Sequence, residues 1–205
     1  GNLLLWCQSG ILGPYNMIKP NISYPNISVW DDLIDDEFIF KKDKESNSYH
    51  WQYTNVANRN SFPNNEKGSH LFWSVNLFDG TNELIHEYKN LLQFCTDNLI
   101  KQNFLLREVM INGQLVGQNG TCHIDKLTNK KEKTLMIFLN FKWEKEWGGQ
   151  FQILENTSND SKVVYEIDYK PGRIVLFDGD LPHRGLAPKM PNILRKSLIY
   201  RLEIE

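Results

Sequence analysis

The sequence has few cysteines, no long apolar run and no excess of charge of either sign, and each shortage closes off a class of protein. Its three cysteines, Cys7, Cys95 and Cys122, are odd in number and far apart in a chain of 205 residues. They make no disulfide framework, which favours a reducing, cytoplasmic setting. No apolar stretch approaches the length needed to cross a bilayer as a helix, so no membrane partner is expected. Leu3–Leu4–Leu5–Trp6 is apolar but lacks a basic flank and a small-residue cleavage site, and reads as a buried segment instead of a signal peptide. A formal net charge of −2 gives no nucleic-acid footprint. No repeat or low-complexity tract stands out. What remains is ordinary for a globular chain, 40% apolar and 23% charged residues. Residues 1–205 therefore read as a single domain, large enough to need no covalent staple.

Two textures divide the chain. Residues 1 to about 80 mix Asn, Ser, Pro and aromatics with short apolar runs such as Phe38–Ile39–Phe40 and Leu71–Phe72–Trp73. That mixture suggests irregular structure with a few short strands. Asp79–Gly80–Thr81–Asn82 then gives a turn and an N-cap. Leu84, Ile85, Tyr88, Leu91, Leu92, Cys95 and Leu99 follow at helical spacing, which predicts an amphipathic helix over 82–100. From residue 104 the texture is β. Runs rich in Val, Ile, Leu, Phe and Tyr fall at 104–111, 133–141, 150–154, 163–167, 173–178 and 195–203. Turn dipeptides separate them: Asn112–Gly113, Asn119–Gly120, Gly148–Gly149, Asn159–Asp160 and Pro171–Gly172. The expectation is a mainly β fold, a sandwich or jelly-roll barrel buttressed by at least one long helix. Residues 1–103 would be an N-terminal elaboration with the supporting helix, and 104–205 the core.

His123–Ile124–Asp125 is the first triplet with chemistry in it. On extended backbone, residues two apart face the same side, so the imidazole and the carboxylate can converge on one point. His183, sixty residues on, follows the apolar run Arg173–Phe177 and offers a third ligand from a distant strand. Two histidines and one carboxylate on one face of an octahedral metal leave the opposite face open, the facial-triad arrangement of non-haem Fe(II) oxygenases. The triplet alone is a common chance match. Arg195 begins the last β run, and at period two Arg195, Ser197, Ile199 and Arg201 share one face while Lys196, Leu198 and Tyr200 share the other. Two arginines and a serine suit a solvated edge strand. They equally suit a site for a dicarboxylate, which a guanidinium can bind through two parallel bonds.

The order of these motifs resembles the prolyl 4-hydroxylase-like 2-oxoglutarate/Fe(II) dioxygenases. Asn112–Gly113–Gln114 and Gly117–Gln118–Asn119–Gly120 lead into His123–Ile124–Asp125. Phe138–Leu139–Asn140, Trp143 and Trp147–Gly148–Gly149–Gln150 follow, then Pro171–Gly172 through Asp178 into Pro182–His183, and last Arg195-x-Ser197–Leu198. The resemblance implies a double-stranded β-helix (a jelly roll, cupin-like) over 104–205. It also implies Fe(II) on His123, Asp125 and His183, and 2-oxoglutarate gripped by Arg195 with Ser197 as helper. The implied reaction uses O₂, optionally with ascorbate as accessory reductant, to hydroxylate a peptidyl proline-type or small-molecule substrate, converting 2-oxoglutarate to succinate. The chain departs from the pattern at three points. Met110 and Ile111 stand where a tyrosine is common before H-x-D, Phe138 stands for a tyrosine that helps hold the cosubstrate, and Gln150 ends a motif usually closed by an acid. Arg195 and Arg201 are also spaced like the paired arginines of the nucleic-acid demethylase branch, against which the acidic balance weighs. A non-catalytic jelly-roll binding module is the alternative from another class. Oligomeric state is left open.

Overall fold

The computed structural model describes residues 6–7, 17–55, 70–100, 102–126, 128–158 and 160–205. Leu3–Leu5 and Asn159 lie outside them. Among the described residues twelve strands form two antiparallel sheets. They are β1 (Trp6–Cys7), β2 (Ile22–Tyr24), β3 (Ile27–Trp30), β4 (Gln52–Asn55), β5 (Phe72–Phe78), β6 (Phe104–Gln114), β7 (Glu132–Phe138), β8 (Phe151–Leu154), β9 (Val163–Ile167), β10 (Ile174–Asp178), β11 (His183–Gly185) and β12 (Arg195–Ile204). The large sheet runs β2-β3-β10-β7-β12-β6-β5-β4, with β1 beside β6, and the small one runs β11-β8-β9. This is the mainly β, helix-buttressed jelly roll that the strand spacing predicts.

Period two puts the large sheet's residues on two different cores. One face carries Val109, Ile111, Leu135, Ile137, Leu198, Tyr200 and Leu202 against the helices. The other carries Met136, Phe138, Val175, Phe177 and Ile199 against Phe151, Ile153 and Ile167 of the small sheet, and forms the inside of the roll. Each fully buried side chain of this size contributes about 1.5–3 kcal/mol. Tyr24 on β2 stacks on Tyr165 of β9 at 3.9 Å and bridges the two sheets at their edges.

Three local expectations are corrected. Phe38–Ile39–Phe40 is not irregular but lies in helix α1 (Asp36–Ser46), started by Asp35, whose carboxylate accepts from the Glu37 and Phe38 amides. The periodicity was weak because the face α1 buries is Ile39, Lys42 and Ser46, only one of them apolar. The helix expected over 82–100 is helix α2 (His86–Cys95) followed by a π-turn at Thr96–Ile100. Asn82 does not cap it, because its amide is spent on Leu77 O and the Asp79 amide in the preceding loop. At the other end Thr96 Oγ1 bonds Leu92 O and Asn98 bonds Phe94 O, side-chain competition that accompanies the slipped ladder. Asn112–Gly113 is not a turn but the interior of β6. Gly113 is needed there because a Cβ would lie 2.7 Å from the Trp51 ring.

Candidate metal and cosubstrate site

His123, Asp125 and His183 meet. The extended segment around His123 bridges to β11: the His123 amide donates to His183 O at 3.0 Å and the His183 amide to His123 O at 2.9 Å. The amides of Asp125 and Lys126 both donate to Gly179 O at 2.8 Å, which fixes the other end of the segment. Each imidazole is oriented by a backbone carbonyl, His123 Nδ1 to Thr121 O and His183 Nδ1 to Leu181 O, both at 2.8 Å. The Nε2 atoms are thereby turned toward Asp125 Oδ1, at 3.4 and 3.6 Å. The three ligand atoms lie within 4.8 Å of one another, close enough for one ion to touch all three.

Electrostatics favour the ligating protonation states. Burial drives the His183 imidazole down to about 4, so it is neutral at physiological pH with a lone pair to give. Burial opposes charge on Asp125, but His183 and Arg201 outweigh it and hold the carboxyl well below its usual range. Arg201 Nη1 sits 2.8 Å from Asp125 Oδ1, and Thr134 Oγ1 donates to Oδ2 at 2.7 Å. Both oxygens are therefore pinned. Glu108 approaches the far side of the Arg201 guanidinium at 3.5 Å.

Arg195 lies in the same cavity, of about 750 Å³, which also contains Gln114, Ser197 and the triad. Its Nε donates to Gly149 O at 2.8 Å and its Nη1 to Gln114 Oε1 at 3.0 Å and Ser197 Oγ at 2.8 Å. Gly149, at φ 77°, must be glycine: a Cβ would meet Trp143 at 2.7 Å and Arg195 Cδ at 3.2 Å. Arg195 Nη2 is buried and has no hydrogen-bond partner among the described residues. Among the described residues no carboxylate lies within ion-pair distance of Arg195, so the fold leaves a buried cation open to an anion. Met136, Phe151, Phe177 and Ile199 give the same cavity apolar walls suited to a short methylene chain. These features fit a metal-chelating dicarboxylate.

The sequence-derived residues His123, Asp125, His183, Arg195 and Ser197 thus come together. Arg201 reaches the site too, but as the partner of Asp125 instead of a second anion anchor. Thr134 and Gln114 have no role in the sequence reading, since only strand register brings them to their partners, and Gly149 meets Arg195 from the loop before β8. Met110 lines the cavity, whereas Ile111 faces the helical core. Phe138 is fully buried and stacks on Tyr169 at 4.3 Å, so no hydroxyl is offered from that position. Trp143 packs under the Gly–Gly turn, its Nε1 donating to Gly148 O. His86 is exposed and contacts Asn90, and His50 and His70 are exposed as well.

Comparisons with known proteins bear on the fold and on residues 109–200. Solved structures of the same fold include an oxidoreductase of the 2OG-Fe(II) oxygenase family from Burkholderia pseudomallei, at 15% identity and TM-score 0.61, covering 87% of this chain and 85% of that one. A prolyl hydroxylase from Trichoplax adhaerens, in complex with a hypoxia inducible factor peptide fragment, matches at 18% identity and TM-score 0.61 over 87% and 83% of the two chains. A Pseudomonas putida prolyl-4-hydroxylase matches at 14% identity and TM-score 0.55 over 88% and 93%. At such identities these likenesses establish the fold. Among curated proteins no sequence relative matches. The family model described as the 2OG-Fe(II) oxygenase superfamily matches residues 109–200. The cofactors that superfamily implies are Fe(II), 2-oxoglutarate and O₂. The matched stretch holds His123, Asp125, His183, Arg195 and Ser197 and is similar to that superfamily over a little less than half of the chain.

Proposed function

We propose that the protein is a 2-oxoglutarate- and Fe(II)-dependent dioxygenase that hydroxylates a peptidyl or small-molecule substrate, with His123, Asp125 and His183 as the iron ligands and Arg195 as the cosubstrate anchor. The observation that carries this reading is the orphaned Arg195 Nη2, buried in the cavity that also holds the triad. When bound, Fe(II) and 2-oxoglutarate supply the oxidation, which divides O₂ between succinate and the hydroxylated product as CO₂ leaves.

The chain's own part is orientation and exclusion of water. The backbone carbonyls of Thr121 and Leu181 hold both imidazoles in the tautomer that presents Nε2 to the metal. Thr134 and Arg201 fix the Asp125 carboxylate and offset its charge, so that it binds without swinging. Arg195, protonated at neutral pH, pairs with the distal carboxylate, and Ser197 adds a hydroxyl donor beside it. The apolar walls around Phe151 and Phe177 keep solvent from the reacting centre. Elsewhere the cavity mixes Asn55, Phe72, Asn112 and Ile124 with Glu108 and Lys126, so amides, apolar groups and charges stand together. That mixture suits a peptide side chain, and the peptide bound by the Trichoplax structure makes this the first class to test.

The test is anaerobic optical titration of Fe(II)-loaded protein with 2-oxoglutarate, followed by succinate release when O₂ is admitted with candidate peptides and metabolites. A visible charge-transfer band is expected in wild type. It should vanish in His183→Ala and require far more 2-oxoglutarate in Arg195→Ala. Bound iron without any band would overturn the cosubstrate assignment, and failure to bind iron would overturn the metal assignment.

A further inference from the structure

Arg195 has five N–H donors, and the fold has taken three of them. Nε is spent on Gly149 O, and both Nη1 hydrogens go to Gln114 Oε1 and Ser197 Oγ. A guanidinium normally meets a carboxylate through two adjacent nitrogens. Here each such pair, Nη1 with Nη2 or Nε with Nη2, has one member already engaged. What remains is Nη2 and the proton of the Ser197 hydroxyl, which is free because Oγ accepts from Nη1.

Gln114 is the residue that arranges this. It is 5% exposed and lies directly across the ladder from Arg195. Its amide orientation is dictated by chemistry, since a guanidinium only donates and Oε1 must therefore face it. Nε2 is left to donate to Gln118 O at 2.8 Å and Gly185 O at 3.1 Å. Gly185 lies on β11, two residues past His183, and Gln118 is in the loop that leads to His123. One neutral amide thus touches the cosubstrate anchor and both segments that carry the histidines.

We infer that Gln114 is a positioning residue for the cosubstrate: it occupies Nη1 without cancelling the guanidinium charge, so that Nη2 and the Ser197 hydroxyl are the two donors that read the distal carboxylate. This rests on the proposed 2-oxoglutarate reading. A neutral acceptor is the required chemistry at position 114. A carboxylate there would pair with Arg195 and compete with the cosubstrate, and it would also deprive Gln118 O and Gly185 O of their donor. An apolar residue would leave Nη1 held by Ser197 Oγ alone, with one of its hydrogens unpaired, and loosen the guanidinium.

The experiment compares two ligands on Fe(II)-loaded wild type, Gln114→Glu and Gln114→Met by anaerobic optical titration. The ligands are 2-oxoglutarate and 2-oxopentanoate, which share the 2-oxo acid head and chain length but differ in the distal carboxylate. Wild type should prefer 2-oxoglutarate strongly. In Gln114→Glu that preference should fall by about tenfold or more, the size expected for a charge-assisted contact that has lost its charge. The ratio of the two affinities is the readout, because any change at the metal from losing the contacts to Gln118 O and Gly185 O acts on both ligands alike. Gln114→Met should fall between the two. A merely structural role would weaken both ligands together, so a parallel loss, or an unchanged preference in Gln114→Glu, overturns the inference. Should Gln114→Glu not fold, an unchanged preference in Gln114→Met overturns it alone. A wild type that does not distinguish the two acids defeats the cosubstrate reading itself, before any variant is made.

Discussion

Arg195 and Lys196 stand side by side on β12, each 2% exposed, and face opposite sides of the sheet. The end of α1 wraps Lys196. Its Nζ lies 2.5 Å from Asp43 Oδ1 and donates to Asp43 O, Ser46 Oγ and Asn47 Oδ1 at 2.7 to 2.9 Å. Among the described residues Arg195 meets only neutral acceptors, and one of its nitrogens meets none. An unpaired buried charge costs several kcal/mol, so the same strand solves a problem on one face and leaves it standing on the other. The face where it stands is the one that holds His123, Asp125 and His183. A satisfied cation there would be structure, and the unsatisfied one is what the proposed cosubstrate reading rests on.

The comparison can be broken by exchanging the two roles. Arg195→Met should weaken 2-oxoglutarate binding about a hundredfold, or about 3 kcal/mol, the loss typical of truncating one side of a desolvated charge pair. Its melting temperature should hold or rise, because an unpaired buried charge has been removed. Titration and thermal denaturation on one preparation read both; a collapse in stability would make Arg195 a structural cation after all. Lys196→Met should behave in the opposite way. It strands the Asp43 carboxylate, whose side chain is only 21% exposed, and should cost about 2–3 kcal/mol by urea denaturation. The affinity of the folded fraction for 2-oxoglutarate should be unchanged, and a drop matching Arg195→Met would erase the distinction between the faces.

A smaller effect sharpens the same contrast at the metal end, where Asp125 is the satisfied group. Thr134→Val removes the hydroxyl on Oδ2 while Arg201 stays on Oδ1. Fe(II) affinity should fall about tenfold, at the low end for loss of a group that orients a ligand. Equilibrium competition with a chelator measures it, and an unchanged affinity would show that Arg201 alone orients Asp125.

These partners also mark how far the sequence could be read. Strand-period reasoning placed Arg195, Ser197, Ile199 and Arg201 on one face, and all four line the cavity. The same reasoning brought His123 and Asp125 to one side of an extended segment, because both inferences need only local geometry. Gln114 and Thr134 are illegible for the converse reason. Gln114 matters because it lies opposite Arg195, and Thr134 because it lies opposite Arg201, next to Asp125. Register between strands distant in sequence is set by the whole sheet. Helix α1 was missed because the face it buries carries Lys42 and Ser46, which no apolar periodicity reveals. Gly113 was misread because a glycine needed for the close approach of Trp51 looks the same in sequence as one needed for a turn.

A third cation, Arg173, tests whether pairing at the rim counts for less than pairing inside. Its Nε and Nη2 form a fork on Asp31 at 2.8 and 2.9 Å, tying the start of β10 to the residue after β3. The hydrogen bond from Arg173 holds the Asp31 carboxyl below its ordinary range, against an opposing push from burial. With the folded pKa lower than the unfolded one, the unfolded chain binds the proton more tightly. The pair's stabilisation is then complete above the ordinary carboxylate pKa of about 4 and is lost as pH falls through the folded value. Asp31→Asn should lower stability at pH 7 by about 1 kcal/mol, as expected of a pair that is only part-buried. The gap between variant and wild type should close as both are taken to acid. Melting temperatures measured from neutral pH down to strong acid check it. A gap that persists unchanged at low pH would mean that the fork acts by shape instead of charge, and Arg173 would then join neither side of the contrast drawn on β12.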